Sequence, residues 1–418
     1  MYHVRFLKVP YSKCLQYSPK CDSHKKSSTK LYSGKSVTGG KSVDRLQASS
    51  ATTLTVCSVV TLTTDLGDSF FYGNATLSVS LIASGRSSSK VTNVAQTKAK
   101  WKTAMRALPI ELDVSIKQLD RIMKHIGADV RFHMRVSISM DSEYKDENQM
   151  YVDANGDSLA TFLPVTSLGF WFSGAEDPSN RKNAIRNVRY DNDNHRYVSR
   201  DIPIGTTSLK LLEETGESVA RHLWDSGILL GKLLTLSNQN SDIFLEQLKG
   251  SPKPMNILEL GCGCGIVGLT LSHVFPQSHV VLTDLDSARN VCERNIALNC
   301  TRSSRTSGKI EFSSFDWDSS NNTMEENAKV YDAEWDLVVA CDCTYNADSF
   351  DILTDVLLKV VSQRTKLLLV HKERHGSEAR VFELLKEKNN LQFQWKQQLE
   401  PAAAKSRADI LVQGGIVN

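Results

Sequence analysis

Long apolar runs are missing from this 418-residue chain. None approaches the ~20 residues that a membrane-crossing helix requires. The first twenty residues, MYHVRFLKVPYSKCLQYSPK, lack the apolar centre of a secretory signal. Without secretion, the glycosylation-type triplets that begin at Asn74, Asn299 and Asn321 are chance matches. Cysteine is scarce: nine thiols are too few for a disulfide framework of this size, and an odd number cannot fully pair. Reduced thiols imply a reducing compartment, so a cytoplasmic protein is expected, with the nucleus as a second location. Charge of one sign is also lacking. The net charge is +3, small for a chain that binds nucleic acid. Neither a membrane nor a nucleic acid stands out as a partner, and the pattern leaves the oligomeric state open.

What is present is enough apolar residue, 40% of the chain, to build a core, and enough length for two domains. Residues 1–50 are rich in Ser, Lys and Gly and poor in acidic residues, which predicts a disordered tail. A mitochondrial presequence fits less well, because Lys stands where Arg is usual and Pro10 interrupts any early helix. Gly39-Gly40-Lys41-Ser42 resembles the end of a phosphate loop, but Lys35 occupies the position of its first glycine and no strand precedes it. Residues 51–205 predict a β-rich region. LTVCSVVTLTT (54–64), ATLSVSLIA (75–83), VRFHMRVSIS (130–139) and SLGFWFSG (167–174) are β-branched, aromatic and partly alternating. LDVSIKQLDRIMKHIG (112–127) reads as a helix. Asp153-Ala-Asn155-Gly-Asp157 looks like a calcium loop, but its glycine is misplaced and Pro164 stands where the closing Glu belongs, so a turn is expected.

From residue 206 to 418 the pattern becomes strands alternating with helices. The strands are MNILEL (255–260), HVVLTD (279–284), KIEFSSF (309–315), WDLVVAC (335–341) and TKLLLVHKE (365–373). Helical segments lie between them, and a final pair lies at 391–399 and 408–417. Nearly unbroken apolar strands alternating with helices predict an α/β fold with a mostly parallel, doubly wound sheet. The two glycines in VQGGIVN weaken the last strand, which predicts an incomplete closing hairpin.

The strand at 255–260 runs into Glu259-Leu260-Gly261-Cys262-Gly263-Cys264-Gly265 and then a helix, the layout of a cofactor loop. Gly263-Cys-Gly265-Ile-Val-Gly268 formally matches the dinucleotide pattern GxGxxG. That pattern puts its first glycine where the strand ends, at Gly261, and in that register the third falls on Ile266. Glu259 beside the loop suits a cationic cofactor, and it can help to hold the loop. Asp284 closes the next strand, where a carboxylate meets ribose hydroxyls; the plain alternative is a helix cap.

The segment 257–299, with HLWDSGILLGKLL (222–234) before it and FDW (315–317) and DCTY (342–345) after it, resembles family 16 of the seven-β-strand methyltransferases, the protein-lysine methyltransferase group. The resemblance spans roughly residues 206–400. It implies a seven-stranded Rossmann-like sheet, S-adenosylmethionine as cofactor and a protein lysine as methyl acceptor. It implies cofactor contacts from Trp224, Glu259, Gly261, Gly263, Asp284, Leu285, Asp316, Trp317 and Cys341, with adenine near Trp317. It also implies that Asp342 and Tyr345 frame the target amine. The plain alternatives are core packing for Trp224 and Tyr345, an aromatic plug for Trp317 and a helix cap for Asp342.

Cys262-x-Cys264 and Cys341-x-Cys343 end adjacent strands. They lack CxxC spacing, so small apolar packing is expected and no metal. The β-rich region is not explained by the resemblance; selection of the protein substrate is the expected role. Three rival functions compete with protein-lysine methylation. A small-molecule N-methyltransferase shares the fold, whereas an adenine-amine enzyme would carry Pro-Pro where DCTY stands. A non-catalytic assembly factor would not need Gly261, Gly263, Asp284 and Asp342 together. A nicotinamide-dependent oxidoreductase fails on the glycine register and on DCTY.

Overall fold

The computed structural model describes residues 1–12, 53–85, 91–127, 129–139, 145–146, 161–173, 187–204, 207–216, 219–235, 248, 254–300, 308–372, 380–389, 392–399 and 410–416. Gly39–Ser42, Asp153–Asp157 and most of the expected N-terminal tail lie outside them.

The C-terminal part is built on one seven-stranded sheet. Its strands are β1 (Asn256–Leu260), β2 (His279–Asp284), β3 (Ile310–Ser314), β4 (Leu337–Cys341), β5 (Lys366–Lys372), β6 (Gln392–Leu399) and β7 (Ile410–Ile416). They lie in the order β3-β2-β1-β4-β5-β7-β6. The first five are mutually parallel, and β7 runs antiparallel between β5 and β6. The order reverses between β1 and β4, so the carboxyl ends of those two strands flank the crevice where α/β sheets bind ligands.

Alternation of side chains sorts the strand residues into two buried layers. Ile257, Leu282, Val339 and Leu368 pack toward α1 (Asp225–Thr235), α2 (Ile266–Val274) and α3 (Arg289–Asn299). Leu258, Val281, Val338 and Leu367 pack toward α5 (Phe350–Val360) and α6 (Arg380–Asn389), with α4 (Met324–Tyr331) preceding them in the chain. Helix α5 buries Phe350, Leu353, Val356, Leu357 and Val360, a one-sided helical stripe. Helix α1 is buried almost all round. It can lie close to α2 because its two glycines face that helix: a Cβ on Gly227 would stand 2.9 Å from Ile266 Cγ2, and one on Gly231 3.1 Å from Thr270 Oγ1.

The closing hairpin is complete, contrary to expectation. β7 pairs with β5 from Ile410 to Ile416, glycines included, and a bulge between Phe393 and Trp395 keeps β6 in step. Pairing on both sides holds the strand despite its weak local propensity.

In front of this sheet stand two more. A five-stranded sheet orders Leu108–Ser115, Thr53–Thr63, Tyr2–Ser12, Thr161–Leu163 and Lys145–Asp146. An eight-stranded sheet holds Ala75–Ser84, Val91–Trp101 and Arg131–Ile138, and ends in the hairpin of Tyr197–Ile204 with Thr207–Glu214. The two pack around a shared core that includes Val4, Leu62, Trp101 and Phe132.

Two expectations are corrected here. Residues 2–12 are an ordered strand within the expected disordered tail. His3, Val4, Phe6 and Pro10 are buried, and pairing along Thr53–Thr63 offsets the entropy that composition alone could not. The expected helix at 112–127 begins as a strand, Leu108–Ser115, whose apolar residues alternate strictly inward. Only Ile116–Ile126 is helical.

The hairpin 197–214 does not stop at the β-rich region. Ile202, Leu209 and Leu211 enter the same core as Leu282 and Val291. The Asn295 side chain accepts from Leu212 N (2.7 Å) and donates to Leu212 O (3.0 Å) and Cys264 O (2.9 Å), lacing the hairpin to α3 and the glycine loop.

Candidate active site

At the carboxyl ends of β1, β2 and β4 lies a cleft of about 200 Å³. All eleven residues singled out in the sequence line it: Trp224, Glu259, Gly261, Gly263, Asp284, Leu285, Asp316, Trp317, Cys341, Asp342 and Tyr345.

The glycine loop forms the floor. Gly261 and Gly263 take left-handed backbone angles, φ +63° and +52°, which side-chain-bearing residues adopt at a cost. Space is restricted as well. A Cβ on Gly261 would lie 2.7 Å from Cys343 Sγ and 3.4 Å from Trp317 Cζ2, and one on Gly263 would lie 3.0 Å from Ala220 O.

Glu259 is fully buried under this loop, and its Oε2 accepts from Gly268 N at 2.7 Å. Burial pushes its pKa up to about 8, with the Asp284 charge adding to the rise and the Gly268 N–H opposing it. At neutral pH it is therefore mostly a protonated strut between β1 and α2, and the loop-holding part of its expected role is the one the geometry favours. Asp284 Oδ2 accepts from Gly263 N (2.8 Å) and its Oδ1 from Leu285 N (2.7 Å). Burial raises its pKa, and these two N–H groups pull it back. Each oxygen keeps a second lone pair, so the carboxylate can hold the loop and still accept from a ligand. The alternative of a side-chain helix cap is not what the bonds show: both partners belong to the loop and to the adjoining residue.

Trp317 lies three residues past the end of β3. The Asp316 carboxylate accepts from Asp318 N (3.0 Å) and Asn321 Nδ2 (2.9 Å), organising the turn that carries the indole. On the other wall Trp224 immediately precedes α1, and its carbonyl accepts from Ile228 N. Asp342 is buried and has φ +56°, a left-handed conformation that a non-glycine residue rarely holds without a reason. Its N–H donates to Val370 O (2.7 Å), and its Oδ1 accepts from Lys372 N (3.1 Å), so β5 fixes both ends of the residue. Tyr345 stands at the mouth, 54% exposed.

Four lining residues carry carboxyl groups, and neither Lys nor Arg occurs among the described residues that line the cleft. Such a lining suits a cationic ligand and an ammonium group. It holds no side-chain cation to pair with a pyrophosphate, whose charge would rest on the backbone N–H groups of the glycine loop beside four carboxyl groups.

Residues 205–388 match the family described as lysine methyltransferase. Over these residues the chain is similar to lysine methyltransferases. A Schizosaccharomyces pombe protein of the UPF0665 family is 26% identical over 321 residues, 77% of this chain and 84% of its own length. That similarity is longer than the family segment, so it takes in much of the β-rich region as well. Saccharomyces cerevisiae protein-lysine N-methyltransferase EFM6 is 26% identical over 43% of this chain and 74% of its own. Xenopus tropicalis EEF1A lysine methyltransferase 3 is 26% identical over 41% and 67%. The cofactor of the methyltransferase domain is S-adenosylmethionine, and the acidic cleft, the bare glycine floor and the strand-end carboxylate of Asp284 fit it.

The methyltransferase cleft also draws on residues that sequence reading did not single out. Lys372 Nζ lies 2.8 Å from Asp225 Oδ2 and 3.0 Å from Asp65 Oδ1, and His3 Nε2 lies 2.9 Å from Asp225 Oδ1. Asp225 follows Trp224 directly, and the Lys372 N–H is the one that holds Asp342. The β-rich region thus braces both walls. No local signal marks these residues, because each is defined by a partner far away in the chain. The thiols are packing groups: Cys343 Sγ donates to Leu260 O (3.2 Å), and Cys262 Sγ lies 3.8 Å from Cys292 Sγ. Burial holds the Cys262, Cys264 and Cys343 thiols well above their ordinary pKa. Among the described residues no helix is long and apolar enough to cross a membrane.

Proposed function

We propose that this chain transfers a methyl group from S-adenosylmethionine to the ε-amine of a lysine in a protein substrate, with Asp342 and Tyr345 at the amine. The observation that carries this reading is the continuity of one acidic cleft from the glycine floor to Asp342 and Tyr345. Relatives named for protein-lysine methylation support the choice of acceptor.

S-adenosylmethionine supplies the methyl group on a positively charged sulfur. Asp284 is placed to accept from the ribose, Trp317 to offer a flat apolar surface to the base, and Trp224, Leu285 and Cys341 to border the cofactor. A lysine ammonium, with a reference pKa of about 10.4, must lose a proton before it attacks. The Asp342 carboxylate orients the ammonium before that loss. The Tyr345 ring flanks the aliphatic stem or the cation at the mouth. Rate enhancement then comes mainly from alignment and from removal of water around the amine. We assign selection of the protein substrate to the β-rich region, which contacts Asp225 and Lys372, beside the cleft, through His3 and Asp65.

The test is a protein extract incubated with labelled methyl donor and the full chain. A labelled protein band that yields methyl-lysine on hydrolysis, and that Asp342→Ala abolishes, is expected. Label confined to the small-molecule fraction contradicts the proposal.

A further inference from the structure

A second cavity, of about 240 Å³, lies between the two front sheets and the segment leading into α1, and it shares His222 with the cofactor cleft. Its lining is built from buried polar groups. Thr61 and Thr63 are 3% and 4% exposed, and their hydroxyls have no hydrogen-bond partner among the described residues. Arg5 donates through Nη2 to Asp65 O, but its Nε has no partner among the described residues. Among the described residues Arg5 forms no ion pair.

The two carboxylates of the lining are already matched. Glu213 pairs with buried Arg200, and Glu214 is shared by Arg196 (3.0 Å) and Arg221. Of the two guanidinium groups in the lining, Arg200 is ion-paired and Arg5 is not, among the described residues. Burial lowers its pKa, and the nearby Arg200 charge adds to that, against the pull of Glu213, Asp65 and Asp225. A mostly enclosed guanidinium is stable when an oxyanion meets its N–H groups. The unpartnered Nε–H and the two threonine hydroxyls can all donate, and Phe6 and Phe70 supply an apolar wall.

We propose that this cavity is an anion site, which takes a carboxylate or phosphate group on Arg5, Thr61 and Thr63. The anion comes either from a free small molecule or from an acidic side chain of the protein substrate. The site is separate from methyl transfer and can be tested without it.

The experiment is calorimetric titration of the full chain with inorganic phosphate and, separately, with glutarate. The chains compared are wild type, Arg5→Gln and the double variant Thr61→Val/Thr63→Val; the double variant carries the test if Arg5→Gln does not fold. Saturable binding by the wild type, weakened at least tenfold in the variants while S-adenosylmethionine affinity stays unchanged, supports the site. Glutarate that competes with methylation of protein in an extract assigns the anion to the substrate. Binding without competition assigns it to a free small molecule. No saturable binding by folded wild type, or binding equal in all three chains, overturns the proposal.

Discussion

The Lys372 ammonium lies 3.0 Å from Asp65 Oδ1, joining residues 307 positions apart. The pair is nearly closed to water, with 11% and 1% of the two side chains exposed. Its position matters because the main-chain N–H of Lys372 holds Asp342, and its ammonium also holds Asp225 beside Trp224. The β-rich region is therefore part of the frame of the cleft, whatever else it recognises.

Removing one partner of such a pair leaves buried charge uncompensated. Lys372→Met is expected to lower stability by roughly 3–5 kcal/mol. Asp65→Asn in the same chain is expected to restore part of that loss, because the two changes act on one interaction. Denaturant unfolding of the four chains of this cycle measures the coupling. Strictly additive effects would mean that the contact is incidental.

Gly268 is fixed by space. A Cβ there would lie 2.0 Å from Leu282 Cδ2 and 2.6 Å from Glu259 Oε2. Gly268→Ala must push aside the buried Leu282 and Glu259 side chains, at a cost of roughly 1–3 kcal/mol. A thermal midpoint several degrees below wild type is expected, and an unchanged midpoint contradicts the packing described.

Glu259 gives a pH signature. Its folded pKa of about 8 lies well above the 4.5 of an unperturbed glutamate. Between those values the folded chain holds a proton that the unfolded chain has lost, so this residue's contribution to stability falls as pH rises through that window. The slope is at most ~1.4 kcal/mol per pH unit. Glu259→Gln keeps an acceptor for Gly268 and removes the titration. The variant's thermal midpoint relative to wild type should climb from about pH 5 to about pH 8.5. A difference that does not change with pH rules out a buried, protonated Glu259.

What sequence made legible was local. Apolar strands such as LVVAC and LLLV, and the Gly261–Gly265 loop at a strand end, placed the sheet and the floor of the cleft. Asp284, Trp317 and Asp342 were legible because each stands at or shortly after a strand end, where α/β folds gather ligand groups. Residues 2–12 were misread because composition reports no partner strand, and Thr53–Thr63 is far away in the chain. The segment 112–127 was read wholly as a helix, though it starts as a strand, because alternation and helical spacing overlap over so few residues. His3, Asp65, Asp225 and Lys372 carried no signal, since a lone charged residue usually reads as surface.

Tyr345 separates chemistry from binding. Its exposed position at the mouth predicts that Tyr345→Ala keeps S-adenosylmethionine affinity within a few-fold and lowers methylation of protein by at least ~10-fold, on the scale of a lost cation–ring contact plus lost alignment. Equal losses in both readouts would move the residue into the cofactor site.

The central claim is that the cleft holds S-adenosylmethionine through Asp284 and the glycine loop. Titration calorimetry with S-adenosylmethionine on wild type and Asp284→Ala tests it most directly. Micromolar binding by wild type is predicted, weakened by ~10- to 100-fold in the variant, the scale of a lost charge-assisted hydrogen bond. A folded wild type that binds no S-adenosylmethionine would contradict the account.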